Sequence, residues 1–263
     1  MTLLQAILLG LIQGLTEFLP VSSSGHLAIV QHFLPGFDQP GLLFDVLLHL
    51  GTMLAVVLYF RRELGNLLSS PFRRDAEAQT HRRLLTLLLA ASVPTAIIGL
   101  TFKDFFEGLF ENIPLVALML LVTGTLLFIS EKFRRGNRRE EQLNLIDALV
   151  VGTVQGCAII PGISRSGSTI AALLLRGVDG ETAARFSFLL ALPAVLGAAL
   201  LSMRHLQEVA TVELPQYLAG TGVAFIAGML SIHCLMAVIR RRRLFAFAIY
   251  CWVAGTIVFA LTF

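Results

Sequence analysis

A chain of 263 residues with 56% hydrophobic and only 14% charged residues, at a mean hydropathy of +0.80, is too apolar for a water-soluble domain. Its net charge of +3 comes from arginine clusters set between apolar runs, not from one basic face, which argues against nucleic acid as a partner and for membrane topology. The composition predicts an all-α polytopic membrane protein.

Residues 1–34 open the chain as an apolar run. Met1-Thr2-Leu3-Leu4-Gln5 lacks the basic region of a cleaved signal peptide and has no Ala-x-Ala site, so this run is expected to persist in the mature protein. Pro20-Val21-Ser22-Ser23-Ser24-Gly25 interrupts it and leaves a second piece shorter than the about 20 residues that span a bilayer. Stretches 42–60, 83–101 and 113–131 are long enough to cross. Residues 145–176 are then broken in the same manner by Pro161-Gly162-Ile163-Ser164-Arg165-Ser166-Gly167, and stretches 182–203, 216–239 and 244–262 bring the crossings to six. Irregular polar backbone survives at membrane depth only inside protein or along a wet cavity, so both interrupted segments read as re-entrant hairpins. Pro94 and Pro193 are expected to bend their spans. Trp252 and Tyr250 read as interfacial or packing aromatics, and Cys157, Cys234 and Cys251 as small apolar residues without metal or disulfide spacing.

Charge placement supports this reading. Arg61, Arg62, Arg73, Arg74, Arg82 and Arg83 follow the first full span, Lys132, Arg134, Arg135, Arg138 and Arg139 follow the third, and Arg240-Arg241-Arg242-Arg243 forms the last loop. The intervening loops carry Asp104, Glu107 and Glu111, and Glu208 and Glu213. With both hairpins returning to their side of entry, all three basic loops face the cytoplasm.

An internal repeat is visible at an offset of 142, where Gly10, Gln13, Gly14, Ser22, Ser24 and Gly25 match Gly152, Gln155, Gly156, Ser164, Ser166 and Gly167. One hairpin and three crossings per copy make the second copy inverted, so a single membrane domain is expected, with one repeat over about 1–131 and the other over about 145–263. Inverted repeats with broken helices place a site near the midplane, here where the hairpin tips meet.

Gln13 and Glu17, four positions apart, share one helix face, and an ionisable group inside an apolar segment is a functional candidate by default. Ser22, Ser23, Ser24, Gly25 and His26 add hydroxyls, an imidazole and a flexible turn at the start of a half-helix whose N–H groups suit an anion. Arg165, the only permanent cation between Leu145 and Leu175, supplies a guanidinium that can grip phosphate oxygens in a fork. The combination suggests phosphoryl chemistry.

Gln13-Gly14-Leu15-Thr16-Glu17-Phe18-Leu19-Pro20-Val21-Ser22-Ser23-Ser24-Gly25-His26 and Pro161-Gly162-Ile163-Ser164-Arg165-Ser166-Gly167 resemble the two signature motifs of the undecaprenyl-diphosphatase (bacitracin-resistance) family. Phe44-Asp45-Val46-Leu47-Leu48-His49-Leu50-Gly51-Thr52 and Ala184-Arg185-Phe186-Ser187-Phe188-Leu189-Leu190 extend the likeness nearly end to end. The resemblance implies hydrolysis of undecaprenyl diphosphate to the monophosphate in the bacterial plasma membrane, with Mg²⁺ or Ca²⁺ as cofactor. It implies that Glu17 helps hold the metal or moves a proton, Arg165 binds the diphosphate, Ser23 is nucleophile or phosphate ligand, and His26 is general acid or base. Ser22, Ser24, Gly25, Ser164, Ser166, Gly167 and Thr169 are taken as substrate-binding, and Gln13 as a neutral metal donor where the family alternates between Glu and Gln. Attack by Ser23 and attack by an activated water both stay open.

Blander readings compete. At least one of Ser22, Ser23 and Ser24 is expected only to cap the half-helix, and Glu17 with Arg165 could form a structural ion pair. His49, Asp45 and Arg185 read as supporting or packing residues, and His32, His81, His205 and His233 as structural. Membrane lipids are expected around the spans, a homodimer is left open, and the active site is expected to face the periplasm or cell exterior. The rival function is a secondary transporter or lipid flippase using the same midplane site.

Overall fold

The computed structural model describes residues 1–37, 43–202, 214–241 and 243–263; His205, Glu208, Glu213 and Arg242 lie outside them. Helix α1 (Leu3–Phe18) starts at a capping box in which Thr2 and Gln5 each accept the other's backbone N–H. It stops because Pro20 disfavours helical backbone at Leu19, which is extended at φ −63°, ψ 139°. After the turn, α2 (Ser23–Phe33) runs back, and Gln5 Nε2 donates to Pro35 O at 3.2 Å, joining the beginning of α1 to the end of α2.

Helix α3 (Leu43–Tyr59) is followed, after a 78° bend at Phe60, by α4 (Arg61–Ser69). Helices α5 (Ala76–Thr101, capped by Asp75), α6 (Lys103–Leu109) and α7 (Ile113–Lys132, capped by Asn112) complete the first half. In the second half α8 (Leu145–Cys157) and α9 (Arg165–Leu175) fold back on each other, then α10 (Gly180–Ser202), α11 (Leu214–Arg240) and α12 (Phe245–Thr262) follow. No strand occurs among the described residues, only an isolated bridge between Arg138 and Val178. By length and composition five helices, α5, α7, α10, α11 and α12, can each cross a bilayer, or six if the bent α3–α4 pair is counted as one span. Apolar side chains such as Leu89, Ile97, Leu218, Ile226, Leu230 and Leu261 are more than half exposed on these helices, as lipid contact requires. The chain is an all-helical, polytopic integral membrane protein.

Small residues set how closely the helices pack, since apolar side chains gain little by leaving lipid for one another. The buried face of α1 is Ala6, Leu9, Gly10, Gln13, Gly14, Glu17 and Phe18. It lies on α11, with Gly10 against Gly220 and Gly14 against Ala224, Ala227 and Gly228. The buried face of α8 holds Gly152, Gln155 and Gly156, and Gly152 abuts Ala91 O and the Pro94 ring of α5. Both close crossings leave a glutamine, Gln13 or Gln155, facing inward.

The basic loops gather at one end. Asp147, at the start of α8, is ion-paired with both Arg138 and Arg176, the residue that caps the end of α9. Arg83 donates to the carbonyls of Glu141 and Leu143, Arg185 pairs with Glu63 at 2.8 Å, and Arg240 pairs with Glu181 at 2.9 Å.

Gly162, in the turn between α8 and α9, sits at φ +92°, and a Cβ there would meet Val116 O and Met119. Gly162→Ala is expected to cost about 1–3 kcal/mol and lower the Tm in detergent. Gly65→Ala on α4, with nothing within 4 Å of its Cβ, should leave the Tm unchanged or raise it. Equal Tm values for the two variants would show that the turn is unconstrained.

Candidate functional site

The two turns meet in the interior. In the first, Ser22 takes φ +70°, the one non-glycine residue with positive φ among those described. Its hydroxyl accepts from Gly25 N at 3.2 Å and its carbonyl from His26 N at 3.1 Å, so Ser22 is the cap of α2. In the second, Ser164 Oγ accepts from Gly167 N at 3.0 Å and caps α9. A Cβ on Gly25 would lie 2.9 Å from Gly162 Cα, and one on Gly167 would lie 3.1 Å from Pro20 Cβ. The glycines let each turn press on the other and bring the positive ends of α2 and α9 together.

Each turn also leans on a helix of the other half. Thr123 Oγ1 on α7 donates to Gly162 O at 2.9 Å and accepts from Ser164 N at 3.0 Å. Cys251 Sγ on α12 reaches Pro20 O at 3.8 Å.

At the junction stands Glu17, its side chain 2% exposed. Its Oε1 accepts from Arg165 Nη2, so the carboxylate of the first hairpin and the guanidinium at the tip of the second are paired across the two turns. Its Oε2 accepts from Ser23 Oγ at 2.6 Å and from Gln13 Nε2 at 2.9 Å. Arg165 Nη1 and Gln13 Oε1 are buried with no hydrogen-bond partner. A hydroxyl held by a carboxylate, beside a guanidinium with a donor to spare, can supply a nucleophile, a base and an anion ligand.

The remaining predicted residues divide. His26 is turned elsewhere: Nδ1 lies 2.7 Å from Ser22 O, Nε2 lies 2.8 Å from Tyr250 OH, and the two rings stack at 5.7 Å. Ser24 Oγ lies 3.4 Å from Ser22 Oγ, Ser166 Oγ 3.3 Å from Ser164 Oγ and 3.4 Å from Leu19 O. Thr169 is buried, with its hydroxyl taken up by Arg165 O at 2.8 Å and Ser187 Oγ at 2.5 Å, so it braces the turn of α9 that carries Arg165. Arg185 pairs with Glu63 at the basic end.

The sequence reading set His49 aside as a supporting residue, yet its Nε2 lies 3.6 Å from Glu17 Oε2. Its Nδ1 is 2.7 Å from Asp45 O, and the Asp45 carboxylate accepts from Gln31 Nε2 on α2 at 2.8 Å. The spacing of Asp45 and His49, one helical turn apart in an apolar helix, was the available signal.

Comparison with known proteins agrees along the whole chain. Residues 6–257 match the family model described as bacitracin resistance protein BacA. A protein named undecaprenyl-diphosphatase from Syntrophotalea carbinolica is 62% identical over 262 residues, covering 100% of both chains. Proteins of the same name from Desulforapulum autotrophicum and Carboxydothermus hydrogenoformans are 44% and 41% identical, covering 98% of this chain and 97% and 96% of theirs. The chain belongs to the BacA bacitracin resistance protein family.

Proposed function

We propose that the chain hydrolyses undecaprenyl diphosphate to undecaprenyl phosphate and inorganic phosphate, recycling the lipid carrier for cell-wall synthesis and giving bacitracin resistance. The names of its relatives support the substrate. The observation that carries the chemistry is the 2.6 Å contact from Ser23 Oγ to Glu17 Oε2 beside Arg165. A transporter or flippase needs an anion site but not a serine hydroxyl set on a carboxylate, so the enzyme reading is preferred.

In this reading Ser23 Oγ attacks the terminal phosphorus and its proton passes to the Glu17 carboxylate. The bond from that phosphorus to the bridging oxygen breaks, and undecaprenyl phosphate leaves with the electron pair. Water then attacks the phosphoserine, Glu17 returns its proton to Ser23 Oγ, and phosphate departs with both hydrogens of the water. Arg165 offers its spare Nη1 to phosphate oxygens and exchanges Glu17 for the diphosphate as substrate arrives. His26, held by Ser22 O and Tyr250 OH, positions the strained turn that presents Ser23.

The donor set fits Mg²⁺ or Ca²⁺, which take oxygen ligands and can rest on a single carboxylate when substrate phosphates complete the shell. Glu17 and the unpartnered Gln13 Oε1 would hold the ion, which when bound would neutralise charge on the diphosphate.

For the membrane arrangement we favour six crossings, by α3, α5, α7, α10, α11 and α12, with α1–α2 and α8–α9 as re-entrant hairpins in two inverted repeats. The closures Gln5–Pro35 and Asp147–Arg176 support hairpins that return to their side of entry. The repeat is supported by paired contacts at the offset of 142: Pro20 and Gly162 each meet a helix of the other half, and Gly10 and Gly152 each mark a close crossing. With the basic end in the cytoplasm, the first hairpin opens outward and catalysis faces the periplasm or cell exterior.

Purified protein in detergent should release phosphate from undecaprenyl diphosphate in an EDTA-sensitive reaction, with Ser23→Ala lowering kcat by about 10³-fold or more. A near-normal rate in Ser23→Ala would replace Ser23 by water as the nucleophile. Glu17→Gln or Arg165→Met alone should cost about 3–5 kcal/mol of stability by leaving a buried charge unpaired, and the double variant should recover much of the Tm. Additive losses in the double variant would dismiss that coupling. In intact cells, an impermeant maleimide should label Ser24→Cys from outside; labelling only after permeabilisation would reverse the orientation.

A further inference from the structure

The imidazole beside Glu17 is oriented in a way that an ion pair does not require. Asp45 O can only accept, so the Nδ1 of His49, 2.7 Å away, carries the hydrogen. In the neutral ring Nε2 then holds a lone pair, and it faces another acceptor, Glu17 Oε2, at 3.6 Å. Arg165 cannot relieve that opposition, because it binds the other carboxylate oxygen. Gln13 stands at the same carboxylate oxygen: its amide nitrogen donates to Oε2 at 2.9 Å, and its Oε1 is buried with no hydrogen-bond partner. Half a turn of that amide exchanges nitrogen for oxygen at the same spot. With the amide so turned, Gln13 Oε1 would join Glu17 Oε2 and His49 Nε2, three lone-pair atoms from α1 and α3.

We propose that His49 is a ligand of the divalent cation at this site, through Nε2, alongside Glu17 Oε2 and Gln13 Oε1. The inference rests on the reading that the Glu17 cluster takes a cation. A histidine whose second nitrogen donates to a backbone carbonyl is the usual way a metal-binding imidazole is held and its tautomer fixed. Two ligands each about 2.1 Å from one ion, at a tetrahedral angle, stand about 3.4 Å apart, close to the separation found here. The His49 side chain is 27% exposed while that of Glu17 is 2% exposed, so the imidazole stands where an ion can enter. An imidazole donor moves preference away from Ca²⁺, which takes oxygen, towards ions such as Mn²⁺, Co²⁺ and Zn²⁺.

The test uses the full chain, purified in detergent through a histidine-free tag, with Mn²⁺ alone as the probe and pulsed electron paramagnetic resonance as the readout. The parent should bind Mn²⁺ and show the electron-spin-echo modulation of a directly coordinated ¹⁴N, which changes to that of ¹⁵N when histidine is ¹⁵N-labelled. His49→Gln should lose the modulation and bind Mn²⁺ about ten-fold or more weakly, while His26→Asn should keep the modulation. His49→Asn replaces His49→Gln should the latter fail to elute as a single folded species. The proposal is overturned by a parent that binds no Mn²⁺, by bound Mn²⁺ without nitrogen modulation, or by modulation that survives the loss of His49. Phosphate release from undecaprenyl diphosphate by the same preparations separates the two ideas. EDTA-sensitive release without nitrogen coupling sinks the His49 ligand alone, whereas no release with Mg²⁺, Ca²⁺ or Mn²⁺ sinks the phosphatase reading itself.

Discussion

The structure turns on one ion pair, Glu17 with Arg165, made between two turns that lie 148 positions apart in the chain. Neither charge is tolerable alone in an apolar segment. Paired, they neutralise each other, and both arms must be folded and apposed before either is satisfied. In the proposed reaction the pair would also exchange, the diphosphate taking the guanidinium from the carboxylate without leaving a cation bare. The same bond is a structural clasp and, in that reaction, would be the contact that substrate displaces.

Everything around the pair works to bring two backbones within reach. Gly25 against Gly162 and Gly167 against Pro20 remove side chains from the seam. Gly10, Gly14, Gly152 and Gly156 sink the carrying helices α1 and α8 into their neighbours. The price of so many glycines is a looser backbone, offset by caps: Ser22 and Ser164 satisfy the first amides of α2 and α9, which would otherwise be orphaned at depth.

Much of this was legible in the residues. Pro20 and the Pro161–Gly167 run interrupt otherwise unbroken apolar stretches, and the helices stop where they do. Glu17 and Arg165 stood out because charges in apolar segments are costly, so each had to have a reason, and they meet. The histidines were not legible. Periodicity assigns a residue to a face of its own helix but not to a neighbour, and His26, adjacent in sequence to the serines, turns to Tyr250 on α12, while His49, 32 residues beyond Glu17, turns towards the carboxylate. The bend at Phe60 was also hidden, since no glycine or proline marks it, and the expected span 42–60 simply ran up to the joint.

The two arms are not held with equal stiffness. Thr123 grips the turn bearing Arg165 through both a carbonyl and an amide, at 2.9 and 3.0 Å, whereas Cys251 touches the turn bearing Ser23 through one long thiol contact of 3.8 Å. In the proposed reaction the arm that would grip the anion is thus tied to its neighbouring helix at two backbone atoms, and the arm that would carry the nucleophile at one.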